Sequence, residues 1–236
     1  MHALKGTLWA VVIILATTSC GLLDFNLGIE GEEGSEVYEK DILSFSKDIF
    51  YVMEGDTFQL AALNQKGAAF PDAVFWSTLD DSVATVIDNV FYALSEGETT
   101  VTALSVTDLQ RVQGTIAVLP LWKHPGRQPF ETVILADIDV NGRPYDPATM
   151  KVCAMLGGRC CALGELFETA GHRYTRFRVS SEMIPPEGDD DYFQDIRFAV
   201  YIPKEFDFDY FDQTIPYDGE THGTLTNPVP LTITNE

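Results

Sequence analysis

Cysteine is scarce in this sequence of 236 residues: there are four, at positions 20, 153, 160 and 161. None falls between 21 and 152, so whatever folds there has no internal disulfide. Basic residues are also few. Fifteen Lys and Arg stand against 36 Asp and Glu, a net charge of −21. Such a surface repels phosphate, which excludes nucleic acid as a partner. Long apolar runs are lacking too: the run at 8–16 (LWAVVIILA) has nine residues, too short for a permanent membrane-spanning helix. The four histidines, His2, His124, His172 and His222, show no zinc-type spacing with one another or with cysteine. There is no G-x-S-x-G elbow, no P-loop and no H-E-x-x-H. No residue is therefore assigned a catalytic role, and the sequence gives no positive reason to read an enzyme.

What is present begins with an export signal. Lys5 supplies a positive n-region, the apolar run follows, and Thr17, Thr18 and Ser19 lead into Cys20-Gly21. A cysteine directly after small residues resembles the lipobox of bacterial lipoproteins, in which that cysteine becomes the lipidated first residue. The usual leucine three positions before it is here Thr17. The resemblance implies a signal peptide over 1–19, lipid on Cys20, and a bacterial cell-envelope protein anchored to the outer membrane, facing the periplasm or the outside. The other reading is a plain secretory signal with Cys20 left as a thiol. Cleavage removes Lys5 alone among the charges, leaving 14 bases against the 36 acids. Residues 20–40, rich in Gly and Glu, read as a flexible acidic tether.

From 41 onward the pattern is short, alternating and β-like. Strands are predicted at 57–63, 73–77, 83–87, 90–94, 99–106 and 112–119, separated by turn residues such as Asp88-Asn89 and Glu96-Gly97-Glu98. The pattern predicts an all-β chain: an immunoglobulin-like β-sandwich over 41–120, a proline-rich linker over 121–130, and a second β-sandwich-like domain over 131–236. The expected core of the first is Phe58, Leu60, Trp76, Val83, Val86, Tyr92, Leu94, Val101 and Ala103. In the second, strands are predicted at 132–140, 151–156, 159–163, 174–179, 196–202 and 231–234. Arg176 and Arg178 should share the wet face, with Phe177 inward. Pro228 and Pro230 cannot donate ladder hydrogen bonds, so pairing is expected only from Leu231, on a sheet edge.

Five blocks carry a family resemblance: Gly55-Asp56-Thr57-Phe58-Gln59-Leu60, Phe75-Trp76-Ser77, Asp81-Ser82-Val83-Ala84-Thr85-Val86, Ala93-Leu94-Ser95-Glu96-Gly97 and Thr99-Thr100-Val101-Thr102-Ala103. In this order they resemble the bacterial immunoglobulin-like group 2 domain of invasin- and intimin-type surface proteins. The match covers about 41–120. It implies a sandwich with Trp76 between the sheets and a place in a surface protein, but no particular activity.

Three constellations could carry chemistry. Cys153, Cys160 and Cys161 flank Gly157-Gly158, a hairpin signal. That hairpin pairs Leu156 with Arg159, Met155 with Cys160 and Cys153 with Ala162, and puts Cys153 and Cys160 on one face. They are the disulfide candidates, the bland reading being buried thiols. His172 is the only base near them in sequence. Asp137-Ile138-Asp139-Val140-Asn141-Gly142 copies the start of a calcium loop, so Asp137, Asp139 and Asn141 are candidate Ca²⁺ ligands. Ala148 stands where the closing Glu belongs, and a strand entering an Asn-Gly turn explains the same residues. Residues 182–220 hold twelve acids and two bases. Within them, Phe206, Asp207, Phe208, Asp209 and Tyr210 read as a half-buried strand, as a long solvated loop with aromatic anchors, or as a ligand surface. Aromatic faces beside carboxylates suit a sugar, and clustered acids suit Ca²⁺. These features predict a non-enzymatic envelope protein making protein or glycan contact, or a carbohydrate-binding component of a surface nutrient-uptake system. No resident cofactor is implied apart from that candidate Ca²⁺.

Overall fold

Short β-branched and aromatic runs broken by tight turns fold into strands alone. The structure, a computed structural model, describes residues 41–123, 130–169, 171–180 and 195–234. It is all-β: among the described residues there is no helix. The first half has β1 (Ile49–Met53), β2 (Thr57–Phe58), β3 (Val74–Thr78), β4 (Ala84–Ile87), β5 (Val90–Ala93), β6 (Gly97–Ser105) and β7 (Arg111–Leu119). They form a four-stranded sheet in the order β1-β7-β6-β3 and a three-stranded sheet in the order β2-β5-β4. β1 runs parallel to β7; the other ladders of this half are antiparallel.

The second half has β8 (Glu131–Val140), β9 (Arg143–Pro144), β10 (Lys151–Leu156), β11 (Arg159–Leu163), β12 (Glu165–Thr169), β13 (His172–Ser180), β14 (Asp195–Ile202), β15 (Asp207–Pro216), β16 (Thr221–His222) and β17 (Val229–Ile233). One sheet orders β11-β10-β14-β15. The other orders β12-β13-β8-β16, with β9 and β17 also on β8. The chain is thus an immunoglobulin-like sandwich followed by a second sandwich, and no strand of one half pairs with a strand of the other.

Each sandwich closes on its own apolar face. In the first, Phe50, Val52, Phe91, Val101, Ile116 and Val118 are buried. In the second, Ile134, Phe177, Phe198, Ile196, Val200 and Leu231 are buried. Each such side chain contributes about 1.5–3 kcal/mol. Trp76 lies half-buried against the first core, stacked 5.8 Å from Phe45 and edge-on 5.5 Å from Phe91. Val83, Val101 and Ala103 are buried as expected, and Phe58, Leu60 and Val86 line the core.

Several expectations need correction. Tyr92 and Leu94 are exposed; the core residues of β5 are Phe91 and Ala93. A strand of period two has two faces, and this one buries the face opposite to that expected. β2 stops at Phe58 instead of Leu63, and β1, β9, β12 and β16 are strands that the sequence reading did not assign, whereas β15 takes the half-buried-strand reading of that acidic and aromatic run, from Asp207 onward. Ladder pairing of β17 starts at Val229, with Pro230 opposite Asp137. β17 pairs only with β8, so the N–H that Pro230 lacks costs no second ladder. Phe177 is buried, and Arg176 and Arg178 reach Glu165 and Glu131 at 2.7 and 3.8 Å on the outer face.

The β10–β11 hairpin turns at Gly157-Gly158, both at positive φ (55° and 80°), the conformation a two-residue hairpin needs. A bulge follows. Met155 faces Cys160 as expected, but Ala154 faces Ala162 and Cys153 faces Leu163. The extra residue on β11 shifts the expected pairing of Cys153 by one.

Candidate functional site

The strand β14 shows where the second sandwich meets the first. Ile196, Phe198, Val200 and Ile202 point into the second core. The opposite face starts exposed, with Asp195 and Arg197, then becomes buried at Ala199 and Tyr201. The change marks the landing of the first sandwich. Met53 and Leu119 from the first half and Trp122 from the linker form one apolar cluster with Cys153, Met155, Ala199 and Tyr201. Lys151 lies over the Tyr201 ring, 5.6 Å from its centroid. The Tyr201 hydroxyl donates to the Asp56 carboxylate at 2.8 Å. Burial first, and then this hydrogen bond, push the Tyr201 phenol well above its ordinary value.

The turn from β14 to β15 completes the contact. Phe206 takes a positive φ of 53°, and its ring joins the first core, 5.9 Å from Phe50 and 5.7 Å from Phe58. Its carbonyl accepts from the Tyr51 N–H at 3.1 Å. The Lys47 ammonium donates to the Glu205 carbonyl at 2.5 Å and to the Asp207 carboxylate. Arg143 grips both carboxylate oxygens of Glu205, at 2.6 and 3.3 Å. That hydrogen bond, aided by the arginine's charge, holds the Glu205 carboxyl below its usual range. Phe208 packs on Tyr51, Trp122 and Tyr210.

The five aromatic and acidic candidates therefore divide. Phe206 is committed to the first core and Phe208 to the seam between the sandwiches. Asp207 is paired with Lys47. Asp209 and Tyr210 are exposed, Tyr210 at 49%. Asn141, Asp207, Phe208 and Asp209 do converge, with Arg143, around a cavity of about 290 Å³.

Asp137 and Asp139 lie extended on β8, and Asn141-Gly142 makes a turn at φ 55° and 76°. The Gly142 N–H donates to the Asp139 carboxylate at 2.7 Å. The segment is a strand entering a hairpin, not a wrapped loop. Among the described residues no group of three or more His, Cys, Asp or Glu is placed to hold a metal ion.

Cys153 and Cys160 share the seam cluster, and the Cys160 thiol lies 3.8 Å from the Ala162 carbonyl oxygen. Burial pushes the Cys153 thiol up. The hydrogen bond from Cys153 lowers the Cys160 thiol. Cys161 packs instead against the second core. Cys20 and residues 181–194 lie outside the described residues.

Sequence reasoning missed Lys47, Asp56, Trp122, Arg143 and Tyr201 as partners in the seam. One signal for it was present. The segment 196–202 (IRFAVYI) is apolar at nearly every position, the mark of a strand buried on both faces.

No protein-family model matches the sequence, and no curated protein matches it. Solved structures with partial likeness include domains 4 and 5 of the S-layer protein SbsC, 22% identical, with a TM-score of 0.27; the match covers 34% of this chain and 54% of that one. A second SbsC structure, domains 5–6, is 12% identical over 78% of this chain and all of that one, with a TM-score of 0.25. The protocadherin GammaB4 extracellular domain is 12% identical over 75% of this chain and 31% of that one, at 0.27. The chain thus spans about half of the SbsC domain 4 and 5 structure.

Proposed function

We propose that this chain is a bacterial envelope lipoprotein that works by contact and not by catalysis. Lipid on Cys20 anchors it to the outer membrane, and residues 20–40 form the tether. The first sandwich, resembling the group 2 immunoglobulin-like domain, is a spacer. The second presents the contact surface, to a protein or a glycan. In an oxidising compartment Cys153 and Cys160 close the disulfide.

The observation that carries this reading is the seam. Phe206 of the second half sits in the first core, and a spacer fused in this way transmits position without a floppy joint. The export-type leader and the −21 charge support the address. The test is metabolic labelling of the full chain with an alkyne palmitate in an outer-membrane bacterium. Label should appear on the wild type and vanish in Cys20→Ser. Sedimentation with the outer membrane, and digestion by protease added to intact cells, then identify the face. An unlabelled, freely secreted wild type would refute the proposal.

A further inference from the structure

Beside the seam, the outer face of the β11-β10-β14-β15 sheet stays open. A cavity of about 430 Å³ lies there, lined by Met155, Gly157, Gly158, Asp195, Arg197, Tyr210 and Thr214. That volume is in the range of small-molecule sites, and such sites favour boundaries between packed units.

The lining has a definite chemistry. Tyr210 offers an aromatic face held in place from behind, because Phe208 meets it edge-on at 4.9 Å and 82°. Phe208 is itself set against Tyr51 of β1 and against Trp122. The platform is thus braced by the first sandwich. Arg197 and Asp195 stand two residues apart on one face of β14, and neither side chain has an ion pair or hydrogen bond among the described residues. Thr214 lies directly opposite Arg197 in the ladder. One wall is the Gly157-Gly158 turn, which has no side chain to block approach. The cavity therefore holds a planar donor, an acceptor, a hydroxyl and a ring within one sheet face.

We infer that this groove binds a neutral saccharide, stacked on Tyr210 and hydrogen-bonded by Arg197, Asp195 and Thr214. The inference deepens the contact role proposed above and rests on it for the second sandwich being the contact surface. A sugar ring has an apolar C–H face for the tyrosine and hydroxyls that both donate and accept. Hydrogen bonds to the two ionised groups are the stronger kind. The two opposite charges select against the alternatives. An anion meets Asp195 and the negative field of the whole chain, and a cation meets Arg197. A purely apolar ligand would strand both charges without water.

The test uses the full chain against an array of neutral oligosaccharides built from glucose, mannose, galactose and N-acetylhexosamines, in α and β linkage, with oligogalacturonate as the anionic probe. Hits are titrated by calorimetry. The expected result is binding to at least one neutral oligosaccharide. Tyr210→Ala and Arg197→Ala should each weaken it about ten-fold or more. Phe75→Ala, on the first sandwich, should leave it unchanged. Thermal melting of each variant separates lost binding from lost fold. No binding anywhere on the array, binding to oligogalacturonate alone, or unchanged affinity in both groove variants would overturn the inference. The palmitate experiment is independent of all three outcomes, so failure here and failure of the envelope reading are told apart.

Discussion

The Tyr201 hydroxyl donates a hydrogen bond to the Asp56 carboxylate across the seam at 2.8 Å. The bond joins a strand of the second sandwich to a turn of the first, and it has a pH signature. Burial, then Asp56, raise the Tyr201 pKa above its unfolded value of 10.0. A group whose folded pKa is raised contributes stability that is complete below the unfolded pKa and is lost as pH rises past it. The fold should therefore weaken above about pH 10. Tyr201→Phe should cost about 1 kcal/mol at neutral pH, through the lost hydrogen bond. It should also flatten part of the alkaline decline, as measured by urea midpoints between pH 8 and 11.

Phe206 joins the halves through a strained residue. Its ring fills a gap between Phe50 and Phe58, while its φ of 53° is one that residues with a Cβ rarely take. Phe206→Ala removes the ring and keeps the strain, so a loss of about 2–3 kcal/mol is expected for this half-buried site. Phe206→Gly removes both, and should be less destabilising than the alanine by about 1 kcal/mol. Calorimetry of the two variants checks the order. An alanine variant more stable than the glycine would show that the backbone conformation carries no strain.

The sandwiches were legible from alternation and turns; the seam was not. Residues 205–212 (EFDFDYFD) read as one alternating run, yet β15 begins only at Asp207. Phe206 belongs to the turn before it, and strand periodicity does not say where a turn residue points. The inward face of β5 failed for a related reason. Val90–Ala93 is four residues long with apolar side chains on both faces, so period two allows Tyr92 or Phe91 inward. Only the packing of Phe91 against Phe58 and Trp76 decides. The outward face of Arg176 and Arg178 and the burial of Phe177, by contrast, follow from clean alternation along β13. Arg143 and Glu205 are 62 residues apart, and no local pattern announces their meeting.

The cysteines should differ in reactivity. Cys160 is half-buried, with its thiol pKa lowered by the hydrogen bond from Cys153, whereas burial raises those of Cys153 and Cys161. The thiolate is the reacting species. Iodoacetamide at pH 7.5 should therefore modify Cys160 first and Cys153 only after denaturation, as peptide mass spectrometry would show. Oxidised glutathione should link Cys153 to Cys160 and leave Cys161 free. A Cys160–Cys161 link, or equal labelling of all three thiols, would contradict this geometry.

Gly223 is the position where a single methyl should do most damage. The chain runs along one edge of β8 there, between β16 and β17, at φ 79°. A Cβ would collide with the Leu135 carbonyl oxygen and stand 3.0 Å from the Val229 nitrogen. Both are backbone atoms of paired strands, so neither can swing aside. Gly142, at φ 76°, has open space around it. Gly142→Ala should therefore cost only the left-handed backbone penalty, about 1–2 kcal/mol. Gly223→Ala adds a clash to the same penalty and should exceed it by at least about 1 kcal/mol. It should also loosen β17, seen as faster amide exchange at Leu231 and Ile233. Equal melting temperatures for the two variants would mean that the link between β16 and β17 yields easily, and that β8 does not hold it as closely as the structure shows.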